Sequence, residues 1–290
     1  MKIAILGAGG RLGAALFRQL QEKYDAIGFD RSQLDLANLG DLRDKLHATD
    51  FQVLINAAAF TNVDRCETER DHAFLINGEA PGVIAEVCRE KGAKMIHFST
   101  DYVFDGQKRA PYTEDDKPRP ISAYGESKLA GEKNVLAATD ENLVVRVSWV
   151  FGPDRPSFID AIIKRAWESE TVDAIADKFA TPTYTLDIAE ALQRLFDVDP
   201  AHGVLHFANT GECTWQEYGQ YALDCCREFG VPLKARTVAP LKLSDMKNFV
   251  ARRPVYSVLS TAKYATITGL PPRTWRDAVA DYIKSVYSTT

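Results

Sequence analysis

Lys2-Ile3-Ala4-Ile5-Leu6-Gly7-Ala8-Gly9-Gly10-Arg11-Leu12-Gly13 opens the chain, and its reading decides the fold. The first five residues read as a strand, and a helical pattern runs from Arg11 to Glu22. Between them, glycines at 7, 10 and 13 make G-x-x-G-x-x-G. A phosphate-binding turn needs those residues for a tight turn, close backbone approach to a pyrophosphate and tight helix–strand packing. The helix N-terminus adds free N–H groups and the positive end of its dipole. Ordinary turns also cluster glycines, so the motif counts because it follows the first strand of an alternating pattern. It nominates Gly7, Gly10, Arg11, Leu12 and Gly13 as dinucleotide-binding residues.

Downstream, short apolar runs at Ala26–Phe29, Val53–Asn56, Lys94–Phe98 and Leu143–Val147 alternate with helical patterns. Those patterns lie near Leu39–Ala48, Thr68–Lys91 and Ser122–Ala138. Strands that are continuous apolar runs belong in a parallel sheet covered on both faces. The expected fold is therefore α/β, a doubly wound parallel Rossmann-type sheet with ligands beyond the carboxyl ends of its strands. After Phe151 the pattern loosens into helices near Ser157–Glu168, Thr185–Phe196 and Trp215–Phe229, strands at Val172–Ile175 and Gly203–Phe207, and a last helix from about Thr274. The division expected is a dinucleotide-binding domain at 1–150, continued by 171–208. A smaller C-terminal substrate-binding part comprises 151–170 and 209–290.

Asp30 lies at the end of the second strand, where a carboxylate takes ribose hydroxyls. Arg31, its neighbour, suits a 2′-phosphate instead, so both NADH and NADPH stay open. Asp35 and Leu36 can border the adenine, and Asp35 can equally be a helix cap. Ala57, Ala58 and Ala59, after the third strand, have side chains small enough for a cofactor to lie against the backbone.

Tyr124 and Lys128 are four residues apart on one helix and share a face. A free tyrosine titrates near ~10, and an adjacent ammonium is expected to bring it down for acid–base work. Lys128 can also hold the nicotinamide ribose. Thr100, at the carboxyl end of the fourth strand, can donate a hydrogen bond to a carbonyl oxygen. Tyr-x-x-x-Lys alone is common by chance; with the glycine turn, the alanine loop and Ser99-Thr100 it points to carbonyl reduction. Trp149 can stack on a sugar or sit in a core, and His97 reads as packed or cofactor-adjacent.

Other classes lack support. The chain has 290 residues, 46% hydrophobic and 26% charged, with a formal net charge of −5 and no basic block, so nucleic acid is not an expected partner. No apolar run approaches a membrane span, and the expected location is cytoplasmic. The five cysteines and the histidines match no zinc spacing, so no metal is expected. Monomer and homodimer remain open.

Several further runs carry a resemblance: Asn56-Ala57-Ala58-Ala59-Phe60-Thr61-Asn62-Val63-Asp64, Ser99-Thr100-Asp101-Tyr102-Val103-Phe104-Asp105-Gly106, Tyr124 to Glu132, Arg146 to Gly152, Thr181-Pro182-Thr183, Arg253-Pro254 and Trp275-Arg276. With the glycine turn, they make the chain resemble the extended short-chain dehydrogenase/reductases, and within them the dTDP-4-dehydrorhamnose reductase family. The resemblance implies NAD(P)H-dependent reduction of the C4 keto group of a nucleotide-sugar substrate, dTDP-4-dehydro-L-rhamnose, in polysaccharide biosynthesis. It implies Tyr124 as proton donor, Lys128 as its tuner and ribose anchor, and Thr100 as carbonyl partner. Asp101, Tyr102 and Trp149 would line the sugar pocket. Phe60 stands where that family commonly has Tyr or His. Ala14-Ala15 replaces the glutamate through which some members bind a dimer-linking magnesium. Tyr102 after Asp101 removes the second carboxylate of the related 4,6-dehydratases and disfavours epimerases. A non-catalytic alternative resembles the regulatory subunit of methionine adenosyltransferase, because the fold is reused for binding.

Overall fold

Ile3 and Ile5 turn to one face of strand β1 (Lys2–Leu6), Ala4 and Leu6 to the other, and all four are buried. A strand apolar on both sides must be covered on both sides, and the computed structural model, which describes residues 1–198 and 201–288, shows how. The first half runs β1, helix α1 (Arg11–Leu20), β2 (Asp25–Phe29), α2 (Leu39–Ala48) and β3 (Val53–Asn56). It continues with α3 (Val63–Thr68), α4 (Arg70–Phe74), α5 (Ala80–Lys91), β4 (Lys94–Thr100), α6 (Ala123–Ala138) and β5 (Leu143–Val147). The second half contributes β6 (Val150–Phe151), α7 (Phe158–Glu168), β7 (Val172–Ile175), β8 (Phe179–Ala180), β9 (Thr183–Tyr184) and α8 (Thr185–Asp197). Then come β10 (Gly203–His206), β11 (Cys213–Thr214), α9 (Trp215–Glu228), β12 (Val238–Leu241), α10 (Ala262–Thr268) and α11 (Trp275–Tyr287).

Six strands form one parallel sheet in the order β10-β5-β4-β3-β1-β2. The order reverses at β1, which pairs with β2 on one side and β3 on the other, and ligands bind at such a switch point. One face packs Ile3, Ile5, Ile55 and Val145 against Leu16 of α1 and Leu192 of α8. The other packs Leu6, Leu54 and Met95 against Leu42 of α2 and Ile84 of α5. A third core belongs to the second half, where α7, α9 and α11 bury Ile162, Tyr218, Trp275 and Tyr282 around Phe151.

Two differences from the expected elements have physical causes. Residues 68–91 were expected to be one helix; instead α3 and α4 precede it, and Leu75–Glu79 forms a π-helical turn before α5. There the Asn77 side chain bonds both backbone groups of Phe60 and the Ser127 hydroxyl, tying the turn to the alanine loop and to α6. The fourth strand runs to Thr100, two residues beyond the expected end, because Ser99 and Thr100 stay in register with Arg146 and Val147 of β5. Among the described residues, no helix is long and apolar enough to cross a membrane.

Candidate active site

The glycine turn leaves β1 with Gly7 at φ +83°, a left-handed conformation that glycine adopts without strain. A Cβ on Gly7 would lie 2.8 Å from the backbone nitrogen of Ala58, and one on Gly13 would lie 2.1 Å from the Gly7 carbonyl oxygen. The turn, the alanine loop and α1 are therefore packed backbone to backbone. Helix α1 starts at Gly10 with no side chain capping it and no acidic residue in its first turn, which leaves its N-terminal N–H groups for an anion.

Above this turn opens a cavity of about 800 Å³, within the range of small-molecule and cofactor sites. Of the residues nominated from sequence, Gly7, Gly10, Arg11, Leu12, Asp30, Arg31, Asp35, Leu36, Ala57, Ala58 and Ala59 line it. So do Thr100, Asp101, Tyr102, Tyr124, Lys128 and Trp149. Gly13 does not; it is buried beneath the turn, where it sets the approach of α1. Arg11 lines the cavity, but its guanidinium donates to the carbonyls of Val150, Arg155 and Pro156. Asp30 accepts from the Ser32 N–H at 2.8 Å, the Ser32 hydroxyl at 2.6 Å and the Gln33 N–H, all on Oδ1, which leaves Oδ2 for a ligand. Those bonds, the Ser32 hydroxyl first, hold its carboxyl below the usual range. Arg31 is largely exposed, 3.8 Å from Asp35, and free to swing. Asp35 also accepts from the Ala37 N–H, so it borders the cavity and caps its own turn at once.

Helix α6 begins at Ser122, whose hydroxyl accepts from the Gly125 N–H, and it places Tyr124, Lys128 and Glu132 four residues apart along one face toward β4. Lys128 is buried; Nζ donates to the Phe98 carbonyl at 2.7 Å and lies 3.2 Å from His97 Nε2. His97 Nδ1 meets the Asn56 amide at 3.2 Å, and Asn56 accepts from the Ala58 N–H, so the chain of contacts ends under the alanine loop. Burial lowers Lys128 to about 8, against the pull of Glu132. Burial also holds His97 neutral, helped by the Lys128 charge.

Tyr124 departs from expectation. Its phenol is pushed up, not down: burial dominates, a hydrogen bond with Thr100 works the other way, and Asp101 adds to the rise. The cause is the direction of Lys128, whose ammonium is turned to Phe98 and His97. The Thr100 hydroxyl donates to Asp101 Oδ1 at 3.1 Å and accepts from the Tyr102 N–H. Tyr102 stands edge-on to Tyr124, with ring centroids 5.6 Å apart.

Trp149 stands at the border between the cavity and the third core. It lines the cavity, and it also packs 5.7 Å from Trp215 and 6.4 Å from Tyr218 in the third core. It is the one non-glycine among the described residues with positive φ, 38°, a strained backbone of the kind held at functional sites.

Sequence reasoning assigned no role to four buried groups here. Glu132 pairs with Arg146 at 2.6 Å and accepts from Ser99 at 2.5 Å beneath β4. Its spacing of four from Lys128 was a usable signal. Ser257, which donates to Asp101 Oδ2 at 2.5 Å, and Lys178 arrive from far along the chain and carried none.

Known proteins resemble this chain over nearly its whole length. The family model described as the RmlD substrate binding domain matches residues 1–288. The chain is 35% identical to the spore coat polysaccharide biosynthesis protein SpsK of Bacillus subtilis, over 98% of this chain and 97% of that protein. It is 36% identical to dTDP-4-dehydrorhamnose reductase of Mycolicibacterium smegmatis, over 100% of this chain and 87% of that one. The crystal structure of dTDP-4-dehydrorhamnose reductase from Bacillus anthracis in complex with NADP superposes with a TM-score of 0.91 at 31% identity, covering 98% of this chain and 99% of that one. A likeness that runs from the glycine turn through the last helix, in sequence and in fold alike, makes this chain a member of the RmlD substrate binding domain family.

Proposed function

We propose that the protein is an NAD(P)H-dependent reductase that converts the C4 ketone of dTDP-4-dehydro-L-rhamnose to the alcohol of dTDP-L-rhamnose. The observation that carries the chemistry is the convergence of Tyr124, Lys128 and Thr100 on the cavity that the glycine turn opens. The sugar is supported by the names of the full-length relatives.

The cavity fits a dinucleotide. The uncapped start of α1 and the close-packed Gly7, Gly10 and Leu12 suit its pyrophosphate. Asp30 and Arg31 line the cavity with Asp35, Leu36, Ala57, Ala58 and Ala59, where the acidic and basic pair would meet the ribose and the alanines would leave room for the cofactor. When bound, the nicotinamide supplies the hydride that reaches C4. Tyr124 gives its proton to the C4 oxygen, which completes the hydroxyl. Its raised pKa keeps that proton in place until charge develops on the oxygen. Thr100 turns its hydroxyl from Asp101 to the same oxygen and polarises it. Lys128 holds the nicotinamide ribose and carries positive charge into a buried site. Asp101, Tyr102 and Trp149 seat the sugar, which orients C4.

The test is a coupled assay that follows NADPH and NADH oxidation with enzymatically generated dTDP-4-dehydro-L-rhamnose. Oxidation with both cofactors is expected, since Asp30 and Arg31 serve opposite preferences. Silence on this sugar with turnover of another 4-keto nucleotide sugar would keep the chemistry and replace the substrate.

A further inference from the structure

Lys178 sits between β7 and β8, behind the cavity wall, and nothing in the mechanism above uses it. The residue is fully buried, and its Nζ has no hydrogen-bond partner among the described residues. The ammonium lies 5.3 Å from the centroid of the Tyr102 ring and 5.4 Å from that of Trp149, the two aromatic walls of the sugar end. The charge it faces is Asp101, itself buried, which accepts from Ser257 on one oxygen and from Thr100 on the other. A lone charge in such a place is costly, and each of these two makes the burial of the other tolerable.

We propose that Lys178 is a positioning residue whose buried ammonium keeps Asp101 a carboxylate, so that before substrate binds Asp101 holds the Thr100 hydroxyl beside Tyr124, poised to turn to the ketone oxygen. Around the pair stand Arg253 with its partner Asp64, the phenols of Tyr102 and Tyr124, and the Cys66 thiol beside Tyr124. Arg253 is already committed to Asp64 through two guanidinium bonds, which leaves Lys178 as the cation available to Asp101. Burial pushes the Asp101 carboxyl up, and Lys178 leads the groups that pull it back, followed by Ser257, Thr100 and Ser148. Without the lysine, Asp101 takes up a proton closer to neutrality. A protonated carboxyl must donate once, so one of the hydroxyls now donating to it loses its acceptor. The inference rests on the reductase reading for its kinetic consequence and on the fold alone for its thermal one.

The experiment compares the parent enzyme with Lys178→Met, which keeps the stem and removes the charge, and with Lys178→Arg, which restores the charge. In kcat against pH, the acid limb of Lys178→Met should move up by about one unit or more, and Lys178→Arg should return most of it. In thermal unfolding, a group whose folded pKa lies above its unfolded value stabilises at low pH and loses that contribution as pH rises through the folded value. The Tm deficit of Lys178→Met should therefore widen between about pH 5 and about pH 7.5, and adding Asp101→Asn should flatten it. A deficit independent of pH overturns the proposal, as does an acid limb that stays in place. Should Lys178→Met not fold, Lys178→Gln carries the same measurements. If the parent does not reduce the dTDP sugar, the functional reading falls, while the thermal series still decides the role of Lys178.

Discussion

Tyr124 holds its proton in a place where burial favours keeping it, which suits the proton donor proposed above. Tyr124→Phe keeps the ring against Tyr102 and removes the proton, so kcat should fall by ~10²-fold or more with little change in cofactor affinity. Full retained activity would dismiss the tyrosine. The next site titrates earlier on the alkaline side: burial brings Lys128 to about 8, well below Tyr124. A lysine with a depressed pKa loses its charge as pH rises through that value, so kcat/KM should decline from about pH 8, and a plateau persisting past pH 10 would contradict this order. Trp149, held at positive φ between the cavity and the third core, should act on the sugar more than on the dinucleotide. Steady-state kinetics of Trp149→Ala should show KM for the sugar nucleotide raised ~10-fold or more, with cofactor KM nearly unchanged; equal rises would reduce it to core packing. At this scale the sequence nominated Tyr124, Lys128 and Thr100 from local spacing and strand position, and all three line one cavity. It was silent on Lys178 and Ser257, whose partners lie on distant segments, and it missed the direction of Tyr124 because the aim of Lys128 depends on His97 and Phe98.

Around the cavity, several elements approach one another backbone to backbone at glycines. Three close approaches hold the site: Gly13 of α1 on Gly7, Gly125 of α6 on the Tyr102 carbonyl, and Gly131 of α6 on the Asn77 carbonyl. Gly13→Ala would place a methyl group 2.1 Å from a backbone oxygen that cannot yield, so α1 must lift from β1. The expected result is a loss of ~1–3 kcal/mol in denaturant unfolding and a larger loss of NADPH affinity by fluorescence titration. An unchanged NADPH affinity would remove α1 from the cofactor site. Strands β1, β3 and β5 and helix α2 match their expected bounds because apolar runs and flanking turn residues are local signals. The π turn at Leu75–Glu79 is not such a signal. It exists where Asn77 bridges the alanine loop to α6, and Gly131 gives its carbonyl room, a relation between segments more than fifty residues apart.

Across the whole molecule, two polar clusters help to fasten the halves. Asp64, held at about 2 chiefly by Arg253, also accepts the N–H groups of Val250 and Ala251. That link contributes fully above the unfolded carboxyl value of ~3.9, weakens as pH falls below it, and is lost once pH has fallen through about 2. The second fastening is at the glycine turn. Arg11 grips the carbonyls of Val150, Arg155 and Pro156, Arg155 returns a bond to the Gly9 carbonyl, and Arg18 pairs with Asp154. Helix α8 then lies on α1, and β10 adds the outermost strand beside β5. In a chain emerging from the ribosome, the glycine turn is made well before Val150, Arg155 and Pro156, the residues that fasten it. A fragment ending at residue 150 would expose β5 along an open edge and the face of α1 that α8 covers, and it should aggregate and bind no NADPH. A soluble, cofactor-binding fragment of that length would show the opposite. Nascent chains of this protein therefore have an interval, from the closing of β5 to the arrival of β10, in which they need shielding from one another.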